Sequence, residues 1–244
     1  MKIIALVNHK GGVGKTTTTL NLGKALSLLG KRVLMIDNDP QANLTVSTDN
    51  ENYEPTITEV YLEEINLPIV KIAENYDLVV ASLSLAETEG KLQTDVNGYF
   101  KLKKAIAKLE NKYDYVLIDC PPSLGILTIN AMIAATEVLV VVQSQFLAVK
   151  GLTTIVDLVE KLREYLNPTL HITGLLLTQI GRNVITKSII EAVREAYPHK
   201  VFETTIRQNI ALAEASAVCK DIFSYNSKSI AAEDYLNLAK EITL

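Results

Sequence analysis

A glycine-rich segment near the start of the chain, HKGGVGKTT at residues 9–17, carries the residue types best suited to bind phosphate. It matches the pattern G-x-x-x-x-G-K-[ST] at Gly14, Lys15 and Thr16, but His9 stands where the pattern has its first glycine. In such a loop, consecutive backbone N–H groups at the start of a helix point toward an anion. The segment therefore predicts a site for a nucleoside triphosphate.

The side chains of this loop have separate expected roles. We expect Lys15 to reach the β- and γ-phosphates, Thr16 to bind Mg²⁺ through its hydroxyl, and Thr17 to contact the α-phosphate. The alternative is a glycine-rich turn with a chance lysine. It is disfavoured because the apolar run IIALV predicts a strand directly before the loop, and a helical pattern follows it.

Three aspartates follow two other apolar runs. Asp37 and Asp39 come just after VLMI at residues 33–36, and Asp119 comes after YVLI at residues 115–118. Because the C-terminal ends of parallel strands meet at one edge of a sheet, where α/β proteins bind ligands, we expect these carboxylates near the phosphate loop. A single aspartate at a strand end is more often a turn or cap residue. Three of them at one edge favour a Mg²⁺ site.

The tetrapeptide NKYD at residues 111–114 fits the N-K-x-D pattern that reads guanine in GTPases. It precedes its strand, so it falls at the edge of the sheet opposite the phosphate loop. We interpret it as a solvated turn between a helix and a strand, which cannot contact a nucleobase.

Short β-branched runs alternate along the chain with longer helical patterns, as in stacked βαβ units. This order predicts a three-layer α/β/α P-loop NTPase fold with a mainly parallel, twisted sheet, and residues 1–244 as a single domain. We expect Gly30 to end the first helix and Asn167-Pro168 to follow the end of a later one. The predicted strands are Ile3–Asn8, Val33–Ile36, Leu78–Ala81, Tyr115–Asp119, Val138–Val142, Ile172–Thr178 and a short one at Val201–Phe202.

The composition excludes several classes of protein. The 244 residues are 48% hydrophobic and 21% charged, which is enough for a full core. The longest purely apolar run, VLVVV at residues 138–142, is far too short to span a membrane, so we expect a cytosolic protein. The distant Cys120 and Cys219 exclude a disulfide framework and a four-cysteine zinc site. The formal net charge of −4 argues against a protein that coats nucleic acid with its whole surface.

Three segments together resemble a known family. KGGVGKTT at residues 10–17, DNDPQAN at 37–43 and DCPPSLGILTINA at 119–131 are similar to the deviant Walker A, Walker A′ and Walker B motifs of ParA-type partition ATPases, in the ParA/MinD superfamily. The similarity continues through AVKGL and GLLLT to AAEDYLNLAKEI at residues 231–242, so it covers essentially the whole chain. It implies a P-loop ATPase that uses ATP and Mg²⁺.

The resemblance gives a role to the second lysine of the loop. Lys10 corresponds to the signature lysine, which in this family reaches across a nucleotide-sandwich dimer to the partner's phosphates. The alternative is a solvated loop lysine. Asp39 corresponds to the residue that orients the attacking water, and Asp37 and Asp119 to the acids around Mg²⁺. The implied catalytic residues are Lys10, Lys15 and Asp39, the cofactor-binding residues are Lys10, Gly11, Gly12, Val13, Gly14, Lys15, Thr16 and Thr17, and the metal-binding residues are Thr16, Asp37 and Asp119.

The same resemblance implies a function in DNA segregation. A weakly active ATPase would bind non-specific DNA as its ATP-bound homodimer, on the nucleoid, and a ParB-like or adaptor protein would stimulate hydrolysis and release the DNA. Because the chain starts at the first strand, we expect no N-terminal helix-turn-helix domain and no operator-specific binding. The cargo stays open between a plasmid, a chromosome and a protein assembly such as a carboxysome or chemoreceptor cluster.

The region expected to bind DNA is only mildly basic. From Arg182 to Lys228, seven Lys and Arg residues stand against five Asp and Glu residues, a net charge of +2. We expect Arg182, Arg207 and Lys228 to contact phosphates, although each alone also fits a solvated surface position. The chain departs from the family here. It has IRQNIALAEAS at residues 206–216 where many relatives read I-P-R-N-V-R-L-S-E-A-P, and NSKS at 226–229 where they read D-P-R-S.

Two other members of the superfamily fit less well. A MinD-like membrane-associated ATPase would end in a cationic amphipathic helix, whereas residues 231–244 hold one lysine against three acidic residues. We therefore expect no membrane binding. An iron–sulfur carrier would need cysteines placed to share a cluster at a dimer axis, and neither Cys120, beside two prolines, nor Cys219 matches that arrangement.

Overall fold

The computed structural model describes residues 1–144, 148–181 and 184–244, and gives only the backbone of residues 148–150 and 184–185. The strands in this part of the chain are β1 (Lys2–Val7), β2 (Val33–Asp37), β3 (Ile69–Ala73), β4 (Tyr76–Val79), β5 (Tyr115–Asp119), β6 (Glu137–Gln143) and β7 (His171–Thr178). They form one sheet in the order β3-β4-β2-β5-β1-β6-β7. Neighbouring strands are parallel except β3 and β4, which are antiparallel.

Helices cover both faces of this sheet. Those in the described residues are α1 (Lys15–Leu28), α2 (Asn43–Val46), α3 (Ile57–Glu63), α4 (Leu85–Thr94), α5 (Lys101–Ala107), α6 (Ile126–Ala134), α7 (Ala148–Tyr165), α8 (Val184–Ala196), α9 (Ile210–Ala217), α10 (Ile222–Asn226) and α11 (Ile230–Thr243), with a short 3₁₀ helix at Gly98–Phe100. The predicted α/β/α layering is confirmed.

The three layers follow from the alternating directions of the side chains along the buried strands. In β1, Ile3, Ala5 and Val7 belong to one apolar core, which also contains side chains of α3 to α8. The residues between them, Ile4 and Leu6, belong to a second core with α1, α9, α10 and α11. Because successive side chains of a strand point to opposite faces, a fully apolar strand requires a helical layer on each side.

The predicted helix ends are confirmed where they depend on local backbone chemistry. Gly30, just after α1, has φ +76°, the left-handed conformation that glycine adopts most easily at the end of a helix. One face of α7 packs in the core, where Leu152, Ile155 and Val159 are buried. This helix ends at Tyr165, before Asn167-Pro168.

Three details of the strand prediction were wrong. The strand predicted at Leu78–Ala81 is β4, which lies two residues earlier, at Tyr76–Val79. Val201–Phe202 does not form a strand, because Val201 makes only an isolated parallel bridge to Leu175. The edge strand β3 was missed. It forms a hairpin with β4 through the two-residue turn Glu74-Asn75, in which Asn75 has φ +56°. An asparagine in a two-residue turn between apolar runs is a recognised hairpin signal, but Lys71 in the middle of β3 interrupts the apolar run.

Candidate functional site

The loop between β1 and α1 has the backbone geometry of an anion site. Gly12 and Gly14 have φ +72° and +96°, both in the left-handed region. The Thr18 N–H donates to the Gly14 carbonyl at 2.8 Å, which starts α1 directly after the loop. The first N–H groups of α1 therefore face the loop without partners in the helix, as phosphate binding requires.

Lys15 lies inside this loop. Its side chain is buried, and Nζ donates to the Lys10 carbonyl at 3.3 Å. Burial lowers the pKa of the Lys15 ammonium, while Asp119 opposes this effect by attraction. The structure thus places a cation between the loop backbone and the acidic strand ends, where a phosphate chain would bring additional negative charge.

The sheet register brings the two predicted metal-binding aspartates together. Asp37 at the end of β2 pairs directly with Asp119 at the end of β5. Both side chains are fully buried. Burial raises the pKa of Asp119 to about 8, and the neighbouring Asp37 carboxylate adds to the increase. Burial is likewise the main cause that raises the pKa of Asp37 to about 6.

Thr45, which the sequence reasoning missed, holds Asp37 in place. Its N–H and its hydroxyl donate to Asp37 Oδ2 at 2.8 and 2.7 Å, and the Asp39 N–H donates to Oδ1 at 3.2 Å. The Thr45 hydroxyl also accepts from the Ala81 N–H at 2.9 Å. The only sequence signal was a threonine in the polar segment that follows Asp39.

The acidic pair has the chemistry of a Mg²⁺ site. Among the described residues, Asp119 Oδ2 is buried with no hydrogen-bond partner, and the Thr19 hydroxyl donates to Oδ1 of the same carboxyl group at 3.5 Å. Thr16 lies close enough to lower the pKa of this carboxyl group. Carboxylate and hydroxyl oxygens suit Mg²⁺, which usually keeps several waters and binds few protein groups. Among the described residues, no group of three or more His, Cys, Asp and Glu side chains is placed to hold a metal ion.

Asp39 lies at the tip of a tight turn at the same edge of the sheet. Its carbonyl accepts from the Ala42 N–H at 2.8 Å, and its Oδ1 accepts from the Gln41 N–H at 2.9 Å. The side chain is 7% exposed. The turn therefore fixes the carboxylate in one position, close enough to Lys15 for their charges to interact.

Lys10 lies on the exposed side of the loop. Its N–H donates to Asn8 Oδ1 at 3.0 Å, and its Nζ is 3.4 Å from Gln143 Oε1 at the end of β6. Gln143 in turn donates to the side chain of Gln179, which donates to the Gly12 carbonyl at 2.7 Å. The ends of β6 and β7 thus support the loop. This support was not predicted from the sequence.

A cleft of about 270 Å³ opens beside the loop. Residues of the loop, α1, the end of β7, the segment 206–209, α9 and α11 form its walls. They are Val13, Gly14, Thr17, Thr178, Gln179, Ile206, Arg207, Gln208, Asn209, Leu212, Ala213, Ser216 and Tyr235. Its position next to Thr17 allows a nucleoside to extend from phosphates held by the loop.

The three predicted DNA contacts have different environments. Arg182 lies outside the described residues. Arg207 lines the cleft and pairs with Asp234 and Glu233, so two carboxylates already compensate its charge. Lys228 is exposed just before the start of α11. DNA binding by these residues stays a prediction, and the pairing makes Arg207 a weaker candidate than Lys228.

Two further features bear on membrane-spanning helices and on the state of the cysteines. Within the described residues, no helix combines the length and the apolar character needed to cross a bilayer. Cys120 and Cys219 are free thiols, one buried and one partly buried. Burial raises the pKa of Cys120 above its usual range.

The chain is similar to known proteins over nearly its full length. Residues 1–172 match the family model described as AAA domain. The chain is 40% identical to the sporulation initiation inhibitor protein Soj of Bacillus subtilis, over 99% of this chain and 98% of that protein. It is 37% identical to the chromosome partitioning protein ParA of Caulobacter vibrioides, over 99% and 94%.

A solved structure extends the comparison to bound ligands. The chain is 32% identical to cobyrinic acid a,c-diamide synthase from Mycobacterium smegmatis with bound ADP and magnesium. The two structures align with a TM-score of 0.86 over 100% of this chain and 94% of the other.

Proposed function

The chain belongs to the Soj and ParA family of partition ATPases, and we propose that residues 1–244 act as one Mg²⁺-dependent ATPase domain in DNA segregation. The observation that supports this most strongly is the paired Asp37 and Asp119 beside the buried Lys15. That arrangement has the charges to hold a triphosphate with Mg²⁺. The Soj and ParA relatives match the chain along nearly its full length.

In this proposal the loop and the cleft bind ATP together. The backbone N–H groups of residues 11–16 and the Lys15 ammonium contact the phosphates, and the cleft beside Thr17 takes the nucleoside. Asp119, Asp37 and the Thr16 hydroxyl would hold Mg²⁺ directly or through water. Bound Mg²⁺ would neutralise charge on the β- and γ-phosphates.

Asp39 is the proposed hydrolysis residue. Its carboxylate is fixed by the turn at Gln41 and lies at the edge of the sheet where the γ-phosphate would end. From there it accepts a hydrogen bond from the attacking water and orients it in line with the bond to be broken.

Lys10 is the proposed link between ATP and dimerisation. Its side chain is exposed at the rim of the loop, where the phosphates of a second subunit can reach it. A cation supplied by the partner neutralises the γ-phosphate, so that pairing depends on bound ATP and the transition state gains a stabilising charge.

The test separates ATP hydrolysis from the dimerisation of two subunits. Asp39→Ala should bind MgATP within about twofold of wild type, while phosphate release falls at least about a hundredfold. With saturating MgATP, this variant should form dimers in light scattering, and the double variant Lys10→Ala/Asp39→Ala should stay monomeric. Lys71→Ala, an exposed lysine on the edge strand β3, is the matched control. Wild-type hydrolysis in Asp39→Ala, or dimers of the double variant, would contradict the assignment.

The ATP dimer is proposed to bind DNA without sequence preference. Two copies of a mildly basic patch double the number of phosphate contacts and steepen the salt dependence. Binding of a random duplex should require ATP, weaken steeply with salt, and fall in Lys228→Ala but not in Lys71→Ala. A ParB-like or adaptor protein should then accelerate hydrolysis. The identity of this partner separates a DNA cargo from a protein cargo.

The packing of α11 disfavours a membrane as the surface to which the ATP-bound dimer attaches. Its apolar residues Tyr235, Leu238 and Ile242 are buried against the core that includes α1. The helix can expose this face to lipid only by leaving that core. Vesicles of anionic lipid should therefore fail to pellet the MgATP-bound protein.

A further inference from the structure

Two successive residues of α11 contact the two halves of the candidate nucleotide site. Asp234 binds Arg207 on the wall formed by residues 206–209. The Tyr235 hydroxyl is 3.3 Å from the hydroxyl of Thr18, in the first turn of α1 behind the phosphate loop. One short stretch of helix therefore spans the site from its base side to its phosphate side.

The contact on the base side involves both backbone and side chain. Asp234 Oδ2 accepts from the Arg207 N–H at 2.9 Å and from Nε at 3.1 Å, and Oδ1 accepts from Nε at 3.0 Å and from Nη2. Glu233 accepts from the same guanidinium at 2.9 Å. Asp234 is only 4% exposed, whereas the Arg207 side chain is 44% exposed, so water is excluded only from the Asp234 side of this charge-assisted pair.

Residues 206–209, which Asp234 contacts through Arg207, form one wall of the cleft. The Gln208 N–H donates to the Ile180 carbonyl at 3.1 Å, and Asn209 Oδ1 accepts from the Ala211 N–H at 2.9 Å to start α9. A second carboxylate of α11, Glu241, accepts from the N–H groups of Glu203 and Thr204 at 2.8 and 3.0 Å. α11 thus holds the chain at Arg207 and just before the segment, while backbone bonds from Ile206 and Gln208 to Leu177 and Ile180 hold the same wall against the end of β7.

The contact on the phosphate side is buried as well. Tyr235 is 1% exposed and lines the cleft, and Thr18 follows Thr17, which also lines it. We propose, on the basis of the proposed ATP site, that Asp234 and Tyr235 are positioning residues that set the distance between the nucleoside wall and the phosphate loop. Neither residue needs to touch the phosphates to affect binding of the whole nucleotide.

The chain contains a second Asp–Arg pair, remote from the candidate site, that serves as a control for the loss of such a pair. Asp114 accepts from the Arg32 N–H, Nε and Nη2 at 2.8, 3.2 and 2.9 Å, the same three groups that Arg207 offers to Asp234. This pair lies before β2 and β5, at the edge of the sheet opposite the loop. The Asp114 side chain is 38% exposed, against 6% for Asp234.

The experiment compares two ligands, MgATP and inorganic tripolyphosphate with Mg²⁺, by calorimetry on the full chain. In Asp234→Asn we expect Kd for ATP to rise about tenfold and Kd for tripolyphosphate to stay within about twofold. Tyr235→Phe should raise Kd for ATP about threefold, and Asp114→Asn should change neither ligand. In hydrolysis, Asp234→Asn should raise KM with kcat nearly unchanged, because the reacting groups stay in place.

The results of this comparison decide the inference. It is overturned if Asp234→Asn binds ATP as tightly as wild type, or if it loses both ligands equally, as a general loss of folded protein would cause. If Asp234→Asn does not fold, Arg207→Gln keeps the backbone bond to Asp234, and the same two-ligand comparison applies to it. If wild type itself fails to bind ATP, the proposed function fails, and this result is distinct from a loss confined to the α11 variants.

Discussion

The phosphate half and the nucleoside half of the candidate site differ in how the chain builds them. The phosphate half is one continuous loop, residues 9–17, whose glycines set its backbone locally. The nucleoside half joins residues of α1, β7, the segment 206–209, α9 and α11, which are up to about two hundred positions apart. The first half thus depends mainly on residue type, and the second on how distant elements pack.

Even the phosphate half, although local in sequence, is supported by distant residues. Gln179 at the end of β7 donates to the Gly12 carbonyl, and Thr178 donates to the Val13 carbonyl at 2.7 Å. Asp37 is held by Thr45, which is also tied to Ala81 after β4. We therefore expect substitutions in the two halves to reduce ATP affinity by different amounts, depending on the contacts that each substitution removes.

The largest loss should come from Lys15→Met. This change removes the buried cation and keeps most of its apolar volume, so we expect ATP affinity to fall at least about a hundredfold with the fold retained. Calorimetry with MgATP measures the affinity, and circular dichroism checks the fold. Retained affinity would show that the loop backbone alone binds the phosphates, and the contrast between the two halves would disappear.

Thr45→Val should have an intermediate effect, on stability as well as on chemistry. It keeps the shape of the side chain but leaves the Ala81 N–H without its acceptor and removes one hydrogen bond to Asp37. We expect a loss of about 2 kcal/mol in the free energy of unfolding, measured with urea. Ser47→Ala, which removes an exposed hydroxyl bonded to the Asn43 carbonyl, is the control and should cost well under half as much.

The smallest effect should come from Gln179→Ala, at the boundary between the two halves. Its bond to the Gly12 carbonyl is exposed, and loop glycines keep their conformation without it. We expect Kd for ATP to rise about threefold, with a similar loss for tripolyphosphate because the loop itself is affected. A loss seen only with ATP would instead place Gln179 functionally in the nucleoside half.

The strands were predicted where apolar runs are continuous and buried on both faces. Tyr115–Asp119 was predicted with its observed limits, and β1, β2, β6 and β7 to within one residue at each end. β3 was missed because Lys71 breaks its apolar run and the strand lies at the edge of the sheet. Edge strands bury only part of their side chains, so their sequences carry a weaker pattern.

The site residues divide in the same way. Asp37 and Asp119 could be placed together from sequence because strand ends in a parallel sheet share an edge, and the register pairs them directly. Thr45, Asp234 and Tyr235 could not be identified, because their roles depend on which distant groups they meet. The pairing of Arg207 with Asp234 also depends on a contact between residues 27 positions apart.

By itself, the amino-acid sequence determined the layered α/β fold, the phosphate loop and the acidic strand ends, because each is encoded in neighbouring residues or in the alternation of apolar and polar side chains. Only the tertiary structure decided the shape of the nucleoside cleft, the support of Asp37 by Thr45 and the environment of Arg207. Those features arise from contacts across the sheet and between helices, where the same residue types can pair in many ways until packing selects one.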